Sequence, residues 1–154
     1  HLHLDVALGG LEQRKIHMLG KEMSKTLGNE FIAIHTPLIT SLKGQGKMSK
    51  SVVGSSIFLK NSKKKIKNIL KGAFCPEKQI DNNPVLQISR LIIFPRIKEL
   101  KILRPEKFGG EIKIKNYDEL EKIYSQGKLH PMDLKDAVAE EIEKIVKGIR
   151  NKIR

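Results

Sequence analysis

The chain has 154 residues, enough for one core or two small ones, and sets 30 Lys and Arg against 17 Asp and Glu, a net charge of +13. Its single cysteine, Cys75, excludes an internal disulfide and fits a reducing compartment, and the longest apolar run, Leu91-Ile92-Ile93-Phe94, is far short of the roughly 18 residues of a membrane span. The excess charge is confined to the middle: residues 1–42 and 116–154 are each neutral, whereas 43–115 carry eighteen basic and five acidic side chains, a field that attracts phosphate backbones or simply solvates a face such as Lys63-Lys64-Lys65.

His1 to Leu8 alternates weakly and is predicted as a strand running into Gly9-Gly10. The opening at His1 rather than Met, with Leu2, Leu4, Val6, Ala7 and Leu8 close behind, reads as a cut through a folded unit, and so as a C-terminal part of a longer protein. Ile16, Leu19, Met23 and Leu27 recur at helical spacing, which predicts a helix over 12–27 that Gly28 stops. Phe31-Ile32-Ala33-Ile34 reads as a buried parallel strand. Strand, glycine turn, helix, strand is a βαβ unit, whose ligand sites form at the carboxyl ends of its strands. Helices are predicted over 62–74, with Ile66, Ile69, Leu70 and Phe74 on one face, and over the more apolar 84–94. Residues 101–115, with Pro105 and Gly109-Gly110, read as a loop or small hairpin, and 117–124 as a short helix. His130-Pro131 opens a last helix whose stripe is Leu134, Val138, Ile142, Ile145, Ile149 and Ile153. The second half is thus mostly helical, with a boundary near residues 52–61.

Chemistry concentrates in two places. Gly46-Lys47-Met48-Ser49-Lys50-Ser51, behind Lys43-Gly44-Gln45, alternates cations and hydroxyls on a glycine-rich loop. Glycines let the backbone bend, lysines act as mobile point charges on phosphate, and hydroxyls add hydrogen bonds. It is not a Walker A loop, because Met48 follows Lys47 where Ser or Thr is required. Gly9-Gly10-Leu11-Glu12-Gln13-Arg14-Lys15 opens a helix after two glycines, a position that favours anions and equally suits a plain glycine turn with a capping glutamate. The five histidines and the cysteine show no ligand spacing, so no structural metal is expected; His17 and His35 read as packing or capping groups.

Taken in order, Gly9-Gly10-Leu11-Glu12-Gln13-Arg14-Lys15, Pro37-Leu38-Ile39-Thr40, the KMSKS run, Arg104-Pro105-Glu106-Lys107-Phe108-Gly109-Gly110 and His130-Pro131-Met132-Asp133-Leu134-Lys135 resemble tyrosyl-tRNA synthetases of the archaeal and eukaryotic type, a class I family. The resemblance runs over essentially the whole chain. It implies an α/β fold: the second half of a Rossmann-like catalytic domain over residues 1–58, then a mostly α-helical anticodon-binding domain over 59–154.

The resemblance also implies roles. Lys47, Lys50 and Ser51 would hold the phosphates of ATP, which enters with Mg2+ as a substrate; no prosthetic group is implied. Gly10 would admit the nucleotide, Glu12 would take its ribose, and the backbone at Leu38 and Ile39 would face adenine. Gln13 would meet the amino-acid end of tyrosine. Phe108, His130 and Asp133 match positions that read the first anticodon base, a guanine; Asp133 would equally serve as a first-turn acid and Phe108 as a hairpin core residue. Partners would be tRNA, tyrosine and ATP, the location cytoplasmic without membrane contact, and the complete enzyme a homodimer. The half carrying the HIGH-type motif, most of the tyrosine pocket and the dimer-forming segment is missing from these residues, so the chain alone is expected to be inactive. A detached RNA-binding module without chemistry is the other function class the motifs fit.

Overall fold

The computed structural model describes residues 4–28, 30–46, 48–49 and 51–153, and packing divides the chain into His1–Leu38 and Ile39–Arg154. In the first unit β1 (Val6–Gly10) leads through a 3-10 turn at Leu11–Gln13 into α1 (Arg14–Leu27), and β2 (Ile32–Thr36) follows. Gly28 ends α1 at φ 69°, a left-handed conformation that glycine adopts without Cβ strain. The strands pair in parallel, Val6 beside Ile32 and Leu8 beside Ile34.

Side chains alternate across a strand, so this register sorts the sheet into a small-residue face and a bulky one. The face carrying Val6, Leu8, Ile32 and Ile34 is 48–71% exposed. Ile16, Leu19 and Met23 on α1 are exposed as well, and the side chain of Leu27 lies outside the described residues. The strand at 31–34 was expected to be buried. Its parallel pairing is present but its burial is not, because one helix cannot cover both faces of a two-stranded parallel sheet.

The second unit is built from α2 (Lys63–Lys71), α3 (Pro84–Ile88), the antiparallel pair β3 (Leu100–Ile102) and β4 (Ile112–Ile114), α4 (Tyr117–Ser125) and α5 (Pro131–Arg150). Each helix start has a cap that its sequence supplies. Ser62 accepts from Lys65 N–H, Asn83 from Val85 and Leu86 N–H, Asn116 from Glu119 N–H, and His130 Nδ1 from Met132 N–H. The hairpin places Lys101 opposite Lys113, and each lysine lies within 4 Å of the glutamate that immediately precedes its strand, Glu99 or Glu111, which offsets the like-charge pairing.

α2 lies antiparallel to α5. Lys63 meets Glu140 at 2.8 Å, Lys67 meets Asp136 at 3.7 Å, and Lys135 Nζ donates to Lys71 O at 3.2 Å. At the far end Arg150 donates to the carbonyls of Leu59 and Asn61. The hydrogen bond to Lys63 holds the Glu140 carboxyl below its usual range. Between the helices α5 buries Leu134, Val138, Ala139, Ile142 and Val146. The expected stripe is therefore corrected at its end: Val146 is inside, Ile149 and Ile153 are exposed, and Ile153 lies past the helix.

The helix expected over 84–94 also differs. It is regular only to Ile88 and then widens into a π turn at Ser89–Ile93, where Phe94 N–H reaches Ser89 O at 2.9 Å. The Ser89 hydroxyl donates back to Val85 O at 2.9 Å, a bond that competes with the helical ladder.

At the centre Tyr124 is fully buried, and its hydroxyl donates to Pro76 O at 2.8 Å and sits 3.1 Å from Cys75 Sγ. Asn83, also fully buried, donates to Gln79 O at 3.0 Å and Cys75 Sγ at 3.5 Å while capping α3. Burial pushes both the Tyr124 phenol and the Cys75 thiol up, so both keep their protons as donors.

Replacing Asn83 by Ala removes a cap and strands buried amides and a carbonyl. A loss of about 2–3 kcal/mol is expected, read as a lowered urea midpoint with an unchanged slope.

Candidate nucleotide loop and nucleic-acid interface

In the first unit the turn after β1 gathers Gly10, Glu12 and Gln13. Gly10 has an extended backbone, φ −73°, so any residue could adopt its dihedrals, and what a Cβ there would meet is the end of the exposed, flexible Glu12 side chain. A Cβ there would lie 2.2 Å from Glu12 Oε2, because the carboxylate folds back over the strand end. A Cβ at Gly9 would meet His17 at 3.0 Å and Gln13 Cβ at 3.1 Å. His17 Nδ1 lies 3.0 Å from His35 Nε2, which ties α1 to β2 and agrees with the packing role expected of both histidines. Leu38 is exposed at the end of this unit.

In the second unit Ile39 packs on the helical core, and Thr40 is clamped by Gln87 of α3. The Gln87 amide accepts Thr40 N–H at 2.7 Å and donates to Thr40 Oγ1 at 3.1 Å. Leu42 is fully buried; its N–H bonds Ser55 O at 3.0 Å and its carbonyl accepts Phe74 N–H at 2.7 Å. Ile39, Leu42, Met48 and Ile57, from the 39–58 segment expected with the catalytic part, therefore pack here on the helical core.

Gly44 turns at φ 84°, and a Cβ there would strike the Phe74 ring at 2.3 Å, so both dihedral and space require glycine. Met48 packs against the core and Ser51 is exposed. Lys47 and Lys50, expected to be the phosphate ligands, lie outside the described residues.

A cavity of about 400 Å³ lies beside the start of α5. Phe108, His130 and Asp133 all line it, brought together from the β3–β4 connection and the first turn of α5. The Phe108 ring is 61% exposed, with Lys107 Nζ 5.0 Å from its centre, an arrangement suited to stacking rather than to a hairpin core. His130 uses Nδ1 as the cap acceptor, which leaves the proton on Nε2, 3.7 Å from Glu77 Oε1. Two walls escaped sequence reasoning. Glu77 enters only through the tertiary fold. Arg104 donates from Nε to Gly110 O and from Nη1 to Lys128 O, both at 3.1 Å, joining the Phe108 loop to the α4–α5 connection. Its place at the head of the Arg-Pro-Glu-Lys-Phe-Gly-Gly run was the available signal.

Among the described residues no cluster of three or more His, Cys, Asp or Glu could hold a metal ion, and no helix is long and apolar enough to cross a membrane.

The chain belongs to the class I tRNA synthetases of the tryptophan and tyrosine group, whose family model matches residues 1–147. Within that group its similarity is to tyrosine–tRNA ligases. That of Saccharolobus solfataricus is 40% identical over 171 residues, which take in 99% of this chain and 47% of that protein. The crystal structure of the Archaeoglobus fulgidus tyrosyl-tRNA synthetase complexed with L-tyrosine superposes with a TM-score of 0.89 at 36% identity, over 97% of this chain and 47% of that one. The Aeropyrum pernix tyrosyl-tRNA synthetase gives 0.82 at 43% identity, over 96% of this chain and 43% of that one. The chain thus spans about half the length of the relatives it matches.

Gly44 and Gly46 offer a graded test of the loop. Gly46, at φ 65°, has open space around its Cβ position, whereas Gly44 faces Phe74. Gly46→Ala should cost about 1 kcal/mol from backbone strain alone, and Gly44→Ala about 2–4 kcal/mol from strain plus overpacking, both read by chemical unfolding.

Proposed function

We propose that the complete protein is a tyrosine–tRNA ligase, and that these residues supply part of its ATP site and its anticodon reader. The observation that carries the reading is the convergence of Phe108, His130 and Asp133 on one cavity from stretches more than twenty residues apart. In this reading the tyrosine carboxylate attacks the α-phosphorus of ATP, pyrophosphate leaves, and the acyl group passes to the tRNA 3′ end. Gln13 meets the amino-acid end of tyrosine. Glu12 takes the ribose over Gly10, and the backbone at Leu38 and Ile39 faces adenine. Lys47, Lys50 and Ser51 meet the phosphates, where negative charge shifts in the transition state and Mg2+ travels with the ATP.

The first unit would be the second half of a Rossmann-type catalytic domain. Its bare apolar sheet face supports that assignment, since such a face is stable only when covered, and the matched relatives are about twice as long. The cover would come from the rest of the complete enzyme, which also brings the dimer contacts, so residues 1–154 alone would not form adenylate. The helical unit would bind the anticodon arm of tRNA.

Tyrosine-dependent ATP–pyrophosphate exchange by the complete protein tests the reading. Lys47→Ala or Lys50→Ala should slow that exchange by about 10²-fold, equivalent to about 3 kcal/mol of transition-state contact, with a smaller change in tyrosine affinity. Equal losses in both would point to folding instead.

For the anticodon, guanine alone offers adjacent N1–H and N2–H donors to one carboxylate. Asp133→Ala should lower kcat/KM for tRNA with guanine first in the anticodon by about 1–3 kcal/mol, and far less for other bases. Phe108→Ala should weaken both, because stacking tolerates any base. A loss at Asp133 that is equal for every anticodon would return that residue to a helix-start role.

A further inference from the structure

Ser55 follows the KMSKS run by four residues and is 1% exposed. Its hydroxyl donates to Ser49 O at 2.5 Å and accepts Ser49 N–H at 3.3 Å. One buried side chain thus grips both peptide groups that flank the Cα of Ser49, the middle residue of Lys47-Met48-Ser49-Lys50-Ser51. Ser55 is itself anchored: its carbonyl accepts Leu42 N–H at 3.0 Å, its N–H bonds Val52 O at 3.1 Å, and the Leu42 carbonyl continues to Phe74 N–H at 2.7 Å. The next residue provides the contrast. Ser56 also buries its hydroxyl, but that oxygen has no hydrogen-bond partner among the described residues.

We propose that Ser55 is a positioning residue for the phosphate loop, holding the backbone from which Lys47 and Lys50 project. The inference rests on the reading of this loop as the ATP-phosphate site. A lysine is a flexible stem with a compact charge, and much of the entropy of placing that charge on a developing anion is its own rotamer freedom. Fixing the root of the loop leaves only the side chains to be ordered in the transition state. A hydroxyl suits the task because it donates and accepts at one atom, so it can hold a carbonyl and an N–H of the same residue at once. The anchor also runs into the helical core through Leu42 and Phe74, so the loop is held by the element that follows it in sequence.

The test uses the complete synthetase with Ser55→Ala, Ser55→Cys, and Ser56→Ala as control. Three quantities are measured: kcat for ATP–pyrophosphate exchange, KM for tyrosine, and the rate of tryptic cleavage after Lys47 and Lys50. Both Ser55 variants should lose about tenfold in kcat and be nicked about tenfold faster in the loop, with the tyrosine KM unchanged. Ser56→Ala should match the parent in all three. Because the larger thiol leaves no cavity, yet hydrogen-bonds weakly and cannot hold the Ser49 carbonyl at 2.5 Å, Ser55→Cys decides the matter even if Ser55→Ala folds poorly. The proposal is overturned if exchange and loop cleavage stay at parental values in the Ser55 variants, or if Ser56→Ala is impaired to the same extent. Lys47→Ala separates the two readings. If it slows exchange while the Ser55 variants do not, only the positioning role is lost. If it leaves exchange unchanged, the assignment of the loop itself fails.

Discussion

Tyr124, Cys75 and Asn83 bring a phenol, a thiol and a carboxamide into the centre of the helical unit, where each polar atom needs a partner to avoid a desolvation cost. The partners they find are one another and the carbonyls of the 75–79 segment. That requirement fixes the course of the chain between α2 and α3, and the rest follows from it. Glu77, two residues past Cys75, is set at the edge of the cavity beside His130. Asn83 starts α3 at a defined point, and one turn later Gln87 faces Thr40. The cavity and the base of the glycine loop are thus placed by the same buried polar group.

Charge is distributed by a comparable logic. The last 39 residues are neutral overall, yet acids of α5 stand opposite Lys63 and Lys67 of α2. These pairs are exposed, so each adds little stability. Their effect lies in the field: they cancel charge on the flank where two helices pack. Lys64, Lys65 and Lys71, on the side of the helix away from the buried Ile66 and Leu70, are left to carry the surplus outward. A chain of net +13 can thereby fold without concentrating repulsion at its helix interface.

Local signals in the sequence were read well. Gly28 stops α1, His130-Pro131 opens α5, and Gly109-Gly110 falls in the β3–β4 connection. Readings that depended on a distant partner were not. The α5 stripe is right through Ile142 and then shifts, because the nine-residue α2 cannot accompany a twenty-residue helix to its end. The π turn begins at a serine whose hydroxyl bonds backwards to Val85 O, which no periodicity reveals. The exposed face of β1 and β2 has the composition of a buried one, since composition records what a strand requires and not whether these residues supply it. At the site, Phe108, His130 and Asp133 could be named from their motifs, whereas Glu77 and the grip of Ser55 on Ser49 exist only in three dimensions.

Arg104 carries one further consequence. By holding Gly110 and Lys128 together, its guanidinium joins the two loops that bound the cavity before any guest arrives. The walls need not be ordered on contact, so their ordering entropy is spent during folding instead of being charged against complex formation. Whatever ligand the cavity takes would then find a slot already shaped. On the proposed reading of this cavity as an anticodon reader, differences among RNAs would then appear in how long they remain bound rather than in the rate of first encounter.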